Sequence, residues 1–199
     1  MFKKNRIAGV DEVGRGSLAG PVFSAAVILN EKINKKDIKD SKKIHFKKRI
    51  LLSEYIKKNS IYAVGTASVD EIDKLNILNA SLLSMQRALN KLKLKPAIAY
   101  IDGHFAPKGI KIKYKTIIRG DEKITSIAAA SIIAKVSRDL FMIKLSKKYS
   151  KYNWHKNFGY GTTEHLNRLK KYGVTKHHRK KFKPIHNILS HKTRETQQD

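Results

Sequence analysis

Short apolar runs alternate along the chain with longer segments whose apolar residues recur at helical spacing. Each run has the length of a buried strand, and most of the runs are bounded by proline or charged residues. The runs lie at Arg6–Val10, Val22–Leu29, Ile61–Ala67, Ala97–Ile101 and Tyr114–Ile118. We predict that these five runs form one sheet, with the first two as an antiparallel pair.

Apolar residues at three- and four-residue spacing predict helices between and after these strands. The helical segments are His45–Lys58, Val69 to about Leu92, Glu122 to about Tyr149, and Thr163–Tyr172. Strands and helices in this order are typical of an α/β fold with a sheet of mixed direction. We therefore predict an α/β domain over residues 1–150, with a five-stranded mixed sheet flanked by helices.

The composition of the chain changes after Tyr149. Residues 151–160 place Tyr152, Trp154, Phe158 and Tyr160 among lysines, and a basic segment follows from Lys176. We predict a C-terminal helical extension over residues 151–189 that packs on the first domain. The polar residues 190–199 are expected to form a disordered tail.

The net charge points to a polyanionic partner. The 199 residues include 43 Lys and Arg against 16 Asp and Glu, a formal charge of +27 that is spread from Lys3 to Lys192. Nucleic acid is the first such partner to consider, although lysines on a solvated face would give the same composition. No apolar run approaches the roughly 20 residues of a membrane helix. The chain also has no cysteine, which excludes disulfides and thiolate metal sites and fits a cytoplasmic protein without a membrane partner.

Three acidic positions follow predicted strands. The first strand runs into Asp11 and Glu12, the fourth ends at Asp102, and Asp121 comes just after the fifth. If the first and fourth strands are parallel neighbours, these carboxylates meet at one edge of the sheet and repel each other unless a cation intervenes. Oxygen ligands suit Mg²⁺ or Mn²⁺, and a pair of such ions would activate a water for phosphodiester hydrolysis.

Each acidic residue also has a structural interpretation. Asp11 and Asp102 occupy positions typical of Asx turns, and Asp121 occupies a position typical of a helix N-cap. Asp121 cannot form a capping box, because that motif needs Glu or Gln three residues after the cap and the residue there is Ile124. Glu12 would leave a regular strand on the face opposite Asp11, so it joins the cluster only if the strand end is distorted.

Three further features are candidates for substrate contact. The loop Gly14, Arg15 and Gly16 allows backbone amides to approach a ligand, and Arg15 could grip a phosphate with two hydrogen bonds. Tyr160 lies between two glycines, and His155 could serve as a general acid or a phosphate contact. The structural alternatives are an ordinary turn, a core ring and a solvated histidine.

Nine short motifs follow one another along the chain, and each occurs once. They are GVDEVGRG at residues 9–16, AGPV at 19–22, DSKK at 40–43, IDG at 101–103, GD at 120–121, AAASIIAKVSRD at 128–139, GYGTTEH at 159–165, HR at 178–179 and FKP at 182–184. Together they resemble bacterial ribonuclease HII, and the resemblance covers about Ile7 to Pro184. Relatives of type III usually have threonine at the position of Arg15, so type II is preferred.

The resemblance implies a ribonuclease H-like fold and an endonuclease that cuts the RNA strand of RNA–DNA hybrids. It also implies incision on the 5′ side of a single ribonucleotide in duplex DNA, leaving 3′-hydroxyl and 5′-phosphate ends. The four metal-binding acidic residues of the family correspond to Asp11, Glu12, Asp102 and Asp121. For Asp121 the resemblance therefore favours a ligand for Mg²⁺ or Mn²⁺ over a helix N-cap.

The same resemblance assigns the substrate-reading residues. The loop Gly14, Arg15 and Gly16 would sense the 2′-hydroxyl by which a protein distinguishes RNA from DNA, and Tyr160 would pack on the following sugar. Lys42, Lys43 and His155 are further candidates for phosphate contacts.

Two other functional classes remain as alternatives, and the chain is expected to be a monomer. A non-catalytic nucleic-acid-binding module would need only the positive charge. An integrase or transposase on the same fold is disfavoured, because the short chain shows no separate targeting domain.

Overall fold

The fold is built on a mixed sheet whose strand order is β3-β2-β1-β4-β5. A computed structural model describes residues 6–31, 33–34, 38 and 45–195, with side chains to residue 190. The strands are β1 (Ile7–Val13), β2 (Val22–Leu29), β3 (Ser60–Ala67), β4 (Ile98–Asp102) and β5 (Lys113–Ile117). All five predicted strands are confirmed, and β1 continues beyond the predicted end at Val10.

Strand direction decides where the acidic residues meet. β1 pairs with β2 in the antiparallel sense and with β4 in the parallel sense, where Val10 is paired with Ile101. The residues that follow this pair are Asp11 and Asp102. The two carboxylates therefore lie side by side at one edge of the sheet, as the parallel arrangement predicts.

Helices cover both faces of the sheet. They are α1 (Phe46–Lys58), α2 (Val69–Leu75), α3 (Ile77–Asn90), α4 (Gly120–Lys123), α5 (Thr125–Lys148), α6 (Trp154–Asn157), α7 (Thr163–Tyr172) and α8 (Lys183–Glu195). Alanines and isoleucines of α5 form a buried cluster with Ala25 and Val27 of β2, whereas Met85, Ala88 and Leu89 of α3 pack on the opposite face. The predicted sheet with flanking helices is confirmed.

The long α5 approaches the sheet unusually closely at Gly9. A Cβ added to Gly9 would lie 2.1 Å from the backbone carbon of Ser126, so only glycine fits beneath the start of the helix. The small residues from Ser126 to Ser131 make this contact possible and bring the helix over the end of β1.

Two predicted helices are each divided in the structure. The segment from Val69 to about Leu92 breaks at Asn76, which has a positive φ of 68° and whose side chain accepts a hydrogen bond from the amide of Asn79. The segment from Glu122 breaks at Ile124, whose backbone is extended. At Asn76 a side chain that satisfies a free helix amide makes the break favourable, whereas Ile124 makes no such bond, and periodicity alone reveals neither break.

The C-terminal segment packs against the loop that follows β1 and against α5. Trp154, Leu169 and Ile185 form a buried cluster with Leu18 and Met142. The last helix continues to Glu195, past residue 189, where the predicted extension ended and the predicted disordered tail began. In the described part of the chain, no helix is both long and apolar enough to cross a membrane.

Candidate active site

The acidic edge of the sheet is partly buried and already bonded to protein donors. Asp11 is only 6% exposed, and its Oδ1 accepts the amide hydrogen of Glu12 at 2.7 Å. Asp102 Oδ1 accepts the amide hydrogen of Gly120 at 2.6 Å. Glu12 Oε1 lies 3.1 Å from Nη1 of Arg15.

The electrostatics of this edge favour a cation. Burial raises the pKa of Asp11 well above its usual range, and the negative charges of Glu12 and Asp102 raise it further, while a hydrogen bond with Ser131 opposes the shift. Burial also raises the pKa of Glu12, against the opposing effect of Arg15. Asp102 also raises the pKa of Glu12, so a positive ion near these carboxylates would stabilise the charged forms of Asp11 and Glu12.

The carboxylates supply oxygen ligands, but they do not form a preformed coordination site for a metal ion. Among residues 6–31, 33–34, 38 and 45–195, no three His, Asp or Glu side chains are grouped closely enough to hold a metal ion. Each of Asp11, Glu12 and Asp102 is instead bonded to a protein donor. The donor set fits a hard cation such as Mg²⁺ or Mn²⁺, because it consists of carboxylate oxygens alone.

Glu12 reaches this cluster without the strand distortion that the sequence suggested. The pairing of β1 with β2 stays regular through Glu12 and Val13, which face Ser24 and Phe23. The negative charge of Asp102, on the neighbouring strand, nevertheless raises the pKa of Glu12, so the two carboxylates lie near each other. Its bond to Arg15 joins the acidic edge to the glycine–arginine–glycine loop.

Asp121 lies beside the cluster rather than at a helix cap. The N-cap of α4 is Arg119, whose φ is 54°, so Asp121 falls within the first turn of that helix. The preceding residue, Gly120, donates its amide hydrogen to Asp102. This position excludes the N-cap interpretation, and the role of Asp121 as a metal ligand stays a prediction.

Two fully buried arginines, Arg138 and Arg179, lie against the glycine–arginine–glycine loop (residues 14–16) and the residues that follow it. Arg138 donates to the carbonyl oxygens of Ala19, Pro21 and Phe158 at 2.9 to 3.1 Å. Arg179 donates to the carbonyl of Arg15 at 2.8 Å and to that of Gly20. The side chain of Arg15 remains 49% exposed.

Sequence reasoning gave these buried arginines no role. Both lie within motifs that carry the resemblance, and Arg138 is followed on its helix by Asp139. In the structure, Asp139 pairs with Lys135 at 2.8 Å, as the helical spacing also allowed. The only indication in the sequence that these arginines matter is that they belong to the motifs. A motif does not show that a side chain bonds to a loop more than a hundred residues away.

Tyr160 lies next to this loop and not in the core. It is half-buried, and its backbone forms an antiparallel bridge with Ser17. The Nζ of Lys135 lies 5.6 Å from the centre of its ring, and the Cζ of Arg138 lies 5.4 Å from that centre. The structure thus brings Tyr160 and the glycine–arginine–glycine loop together.

One face of α5 connects the acidic edge with the tyrosine. Ser131 forms a hydrogen bond with Asp11, and Lys135 and Arg138, one and two turns later, lie over Tyr160. Residues at this spacing lie along one side of a helix. Asp11 and Tyr160 therefore lie along the same side of α5.

The candidate phosphate contacts have different outcomes. His155 is exposed, and its Nδ1 lies 3.2 Å from the hydroxyl oxygen of Ser146. Lys42 and Lys43 lie outside the described residues. A phosphate-binding role for these three residues stays a prediction.

The sequence and the fold of this chain are both similar to those of known proteins. The family model for ribonuclease HII matches residues 8–185. The ribonuclease HII of Pelagibacter ubique (strain HTCC1062) is 59% identical over 183 residues, which are 92% of this chain and 98% of that protein. The crystal structure of ribonuclease H2 from Pyrococcus horikoshii OT3 superposes with a TM-score of 0.78 at 27% identity, covering 94% of this chain and 98% of that chain.

A more distant structure agrees in fold. Bst-RNase HIII in complex with Mn²⁺ has a TM-score of 0.77 at 18% identity, covering 98% of this chain and 72% of that chain. The predicted ribonuclease H-like fold is confirmed by these structures.

Proposed function

The chain belongs to the ribonuclease HII family, and from that premise we propose that it incises duplex DNA on the 5′ side of single embedded ribonucleotides. As a member of this family it is an endoribonuclease with ribonuclease H activity on RNA–DNA hybrids. Its products would carry 3′-hydroxyl and 5′-phosphate ends. The expected cytoplasmic location and monomeric state stay predictions.

The acidic edge supports metal-assisted hydrolysis. Asp11, Glu12, Asp102 and Asp121 would hold two Mg²⁺ or Mn²⁺ ions. When bound, the ions supply an activated water and stabilise the charge that develops on the leaving oxygen. The support is the burial of Asp11 and Glu12 beside the negative charge of Asp102, which disfavours their ionised forms and which a cation would offset.

The reading of the substrate would be divided between two neighbouring groups. The loop of residues 14–16 would contact the ribonucleotide and its 2′-hydroxyl, and Tyr160 would pack on the next deoxyribose. The observation that carries this proposal is the bridge between Ser17 and Tyr160, which sets the two groups side by side. Because α5 links both groups to Asp11, a single strand could be read and cut at adjacent nucleotides.

Cleavage of four defined duplexes tests the proposal. The substrates are DNA with one ribonucleotide, a continuous RNA–DNA hybrid, all-DNA and all-RNA, each with Mg²⁺, with Mn²⁺ or with chelator. We expect cleavage of the first two only, with a divalent ion, and a single cut 5′ of the ribonucleotide.

The same assay separates the alternatives. Cleavage of the hybrid but not of the single ribonucleotide would contradict junction reading. Tight binding of every duplex without cleavage would favour a non-catalytic nucleic-acid-binding module.

A further inference from the structure

Two histidines form a buried pair beneath the tyrosine. His165 of α7 and His178 are both fully buried, and their Nε2 atoms lie 3.3 Å apart. A contact this short between ring nitrogens requires one to donate and the other to accept. Their remaining partners determine which does which.

The protons of this pair are fixed by its neighbours. Nδ1 of His165 lies 2.9 Å from the carbonyl oxygen of Tyr160, so it carries a hydrogen and donates. Its Nε2 is then an acceptor, whose single lone pair is shared by the indole N–H of Trp154 at 3.1 Å and by Nε2 of His178 at 3.3 Å. Nδ1 of His178 accepts from the amide of Thr175 at 2.9 Å, which leaves the hydrogen on the Nε2 that faces His165.

Both rings are therefore neutral in this arrangement. Burial lowers the pKa of His165, against smaller opposing effects of its bond to the Tyr160 carbonyl and of Glu164. Burial and the neighbouring His165 and His177 lower the pKa of His178 to about 3. An added proton on either ring would place two donors face to face in a buried space.

The pair joins the two reading groups. At one end, His165 bonds directly to the carbonyl of Tyr160. At the other end, His178 forms a backbone bridge with Ala19, and the next residue, Arg179, donates to the carbonyl of Arg15. A chain of short polar contacts thus runs from the tyrosine to the glycine–arginine–glycine loop.

The backbone around Tyr160 needs such support. Phe158 has a φ of 48° and Gly159 a φ of 81°, so the chain before the tyrosine is left-handed over two residues. Phe158 pays the usual steric cost of that conformation, which persists only where surrounding bonds enforce it. The bond from His165 supports the carbonyl of the tyrosine itself.

We propose that His165 and His178 act together as positioning residues that fix the spacing between Tyr160 and Arg15, and thereby favour an RNA-to-DNA junction over a continuous hybrid. This inference rests on the proposed roles of Arg15 and Tyr160. The histidines touch neither the acidic edge nor the substrate in this scheme, and they act only through the backbone of the reading groups.

Two substitutions at residue 165 separate the contacts. In His165→Gln the side-chain amide takes the place of Nε2 and keeps an acceptor for the indole N–H of Trp154. The donor to the Tyr160 carbonyl is lost. In His165→Asn the amide replaces Nδ1 and keeps that donor, but the contacts at Nε2 are lost. We expect the ratio of kcat/KM for the single-ribonucleotide duplex to that for the hybrid to fall roughly three- to tenfold in both variants, the effect of one hydrogen bond, because each variant breaks the chain of contacts between Tyr160 and the loop at a different point.

A matched control comes from the same aromatic cluster. Tyr152 stacks on Trp154, with ring centres 5.1 Å apart, and donates its hydroxyl hydrogen to the carbonyl of Gly173 at 2.9 Å. Tyr152→Phe should lower the melting temperature without changing the ratio, because that hydroxyl bonds to neither reading group. The indole N–H resonance of Trp154, the single tryptophan, reports in each variant whether the cluster is intact.

The outcomes are distinct. If wild type leaves single ribonucleotides uncut, the proposed function fails and this inference fails with it. If wild type cuts them and His165→Gln keeps the wild-type ratio, only the inference is overturned, and an equal fall in Tyr152→Phe overturns it as well. Should His165→Gln not fold, His178→Asn, which keeps an acceptor for Thr175 but no donor to His165, must show the same fall in ratio.

Discussion

Arg138 occupies the space that a side chain on Gly14 would need. A Cβ added to Gly14 would lie 2.2 Å from Nε of Arg138, and the φ of Gly14 is +93°. The guanidinium itself is fixed by the carbonyls of Ala19, Pro21 and Phe158, so it has no room to withdraw. The first glycine of the loop is therefore required by a buried cation beneath it as well as by its backbone conformation.

Gly14→Ala should lower both stability and cleavage. The added methyl group must displace Arg138 or shift the loop, and overpacking of this kind costs roughly 1–3 kcal/mol, to which the positive φ adds. The measurement is the free energy of unfolding in urea, together with kcat/KM on the single-ribonucleotide duplex.

Gly16→Ala is the matched control for stability. A Cβ at Gly16 would meet no atom within 4 Å. Its free energy of unfolding should stay close to that of wild type. Equal destabilisation by the two substitutions would show that the loop tolerates no side chain for a reason other than Arg138.

Asp11→Asn and Asp102→Asn should abolish cleavage while preserving the fold. Each amide keeps the shape of the side chain but removes an anionic ligand, so the rate should fall by at least about a hundredfold. Because burial and neighbouring charges disfavour the ionised form of Asp11, its replacement should leave the melting temperature unchanged or raise it. Near wild-type turnover by either variant, with duplex binding retained, would remove that residue from the metal site.

Duplex binding should be strongly salt-dependent. With a formal charge of +27, the chain should displace counterions from several phosphates, and the slope of log K against log salt is about −0.9 for each phosphate neutralised on B-DNA. Titration of labelled all-DNA duplex between low and physiological salt measures this slope without cleavage. A flat response would mean that the lysines form only a solvated face.

The sequence predicts the sheet well because strand burial leaves a local signal. The apolar runs identify all five strands, and the acidic residues after the first and fourth strands anticipate the edge at which Asp11 and Asp102 meet. Local patterns fail where the cause is one side chain bonded to a helix amide, as at Asn76.

Long-range polar contacts are harder to anticipate. The bonds of Arg138 to Ala19 and of Arg179 to Gly20 join residues 119 and 159 positions apart. The contact between His165 and His178 depends likewise on a turn whose conformation the sequence does not reveal. Periodicity describes burial along one element, and it carries no information about which distant backbone carbonyl a buried cation will bond.

Tyr160→Ala should impair junction cleavage selectively. Loss of the ring removes a contact of roughly 1–3 kcal/mol, by analogy with stacking of a base on an aromatic ring, which is about a ten- to hundredfold effect. The loss should fall mainly on the single-ribonucleotide duplex, with the continuous hybrid less affected. If the variant cuts single-ribonucleotide duplexes as well as wild type does, Tyr160 is not the residue that reads the second sugar.

The buried pair makes a separate prediction about stability in acid. The pKa of His178 falls from 6.5 to about 3 on folding, so between these values the unfolded chain binds a proton at this residue that the folded chain does not. The contribution of His178 to stability is therefore fully present above about pH 6.5 and is lost as the pH falls, by roughly 1.4 kcal/mol per pH unit.

The groups around it, His165, His177 and Glu164, also titrate, so the comparison is with His178→Gln, which keeps a donor toward His165 but does not titrate. Urea unfolding between pH 7 and pH 5 should show a smaller loss of stability on acidification in His178→Gln than in wild type, and equal pH dependence in the two proteins would mean that His178 is not buried in the neutral form.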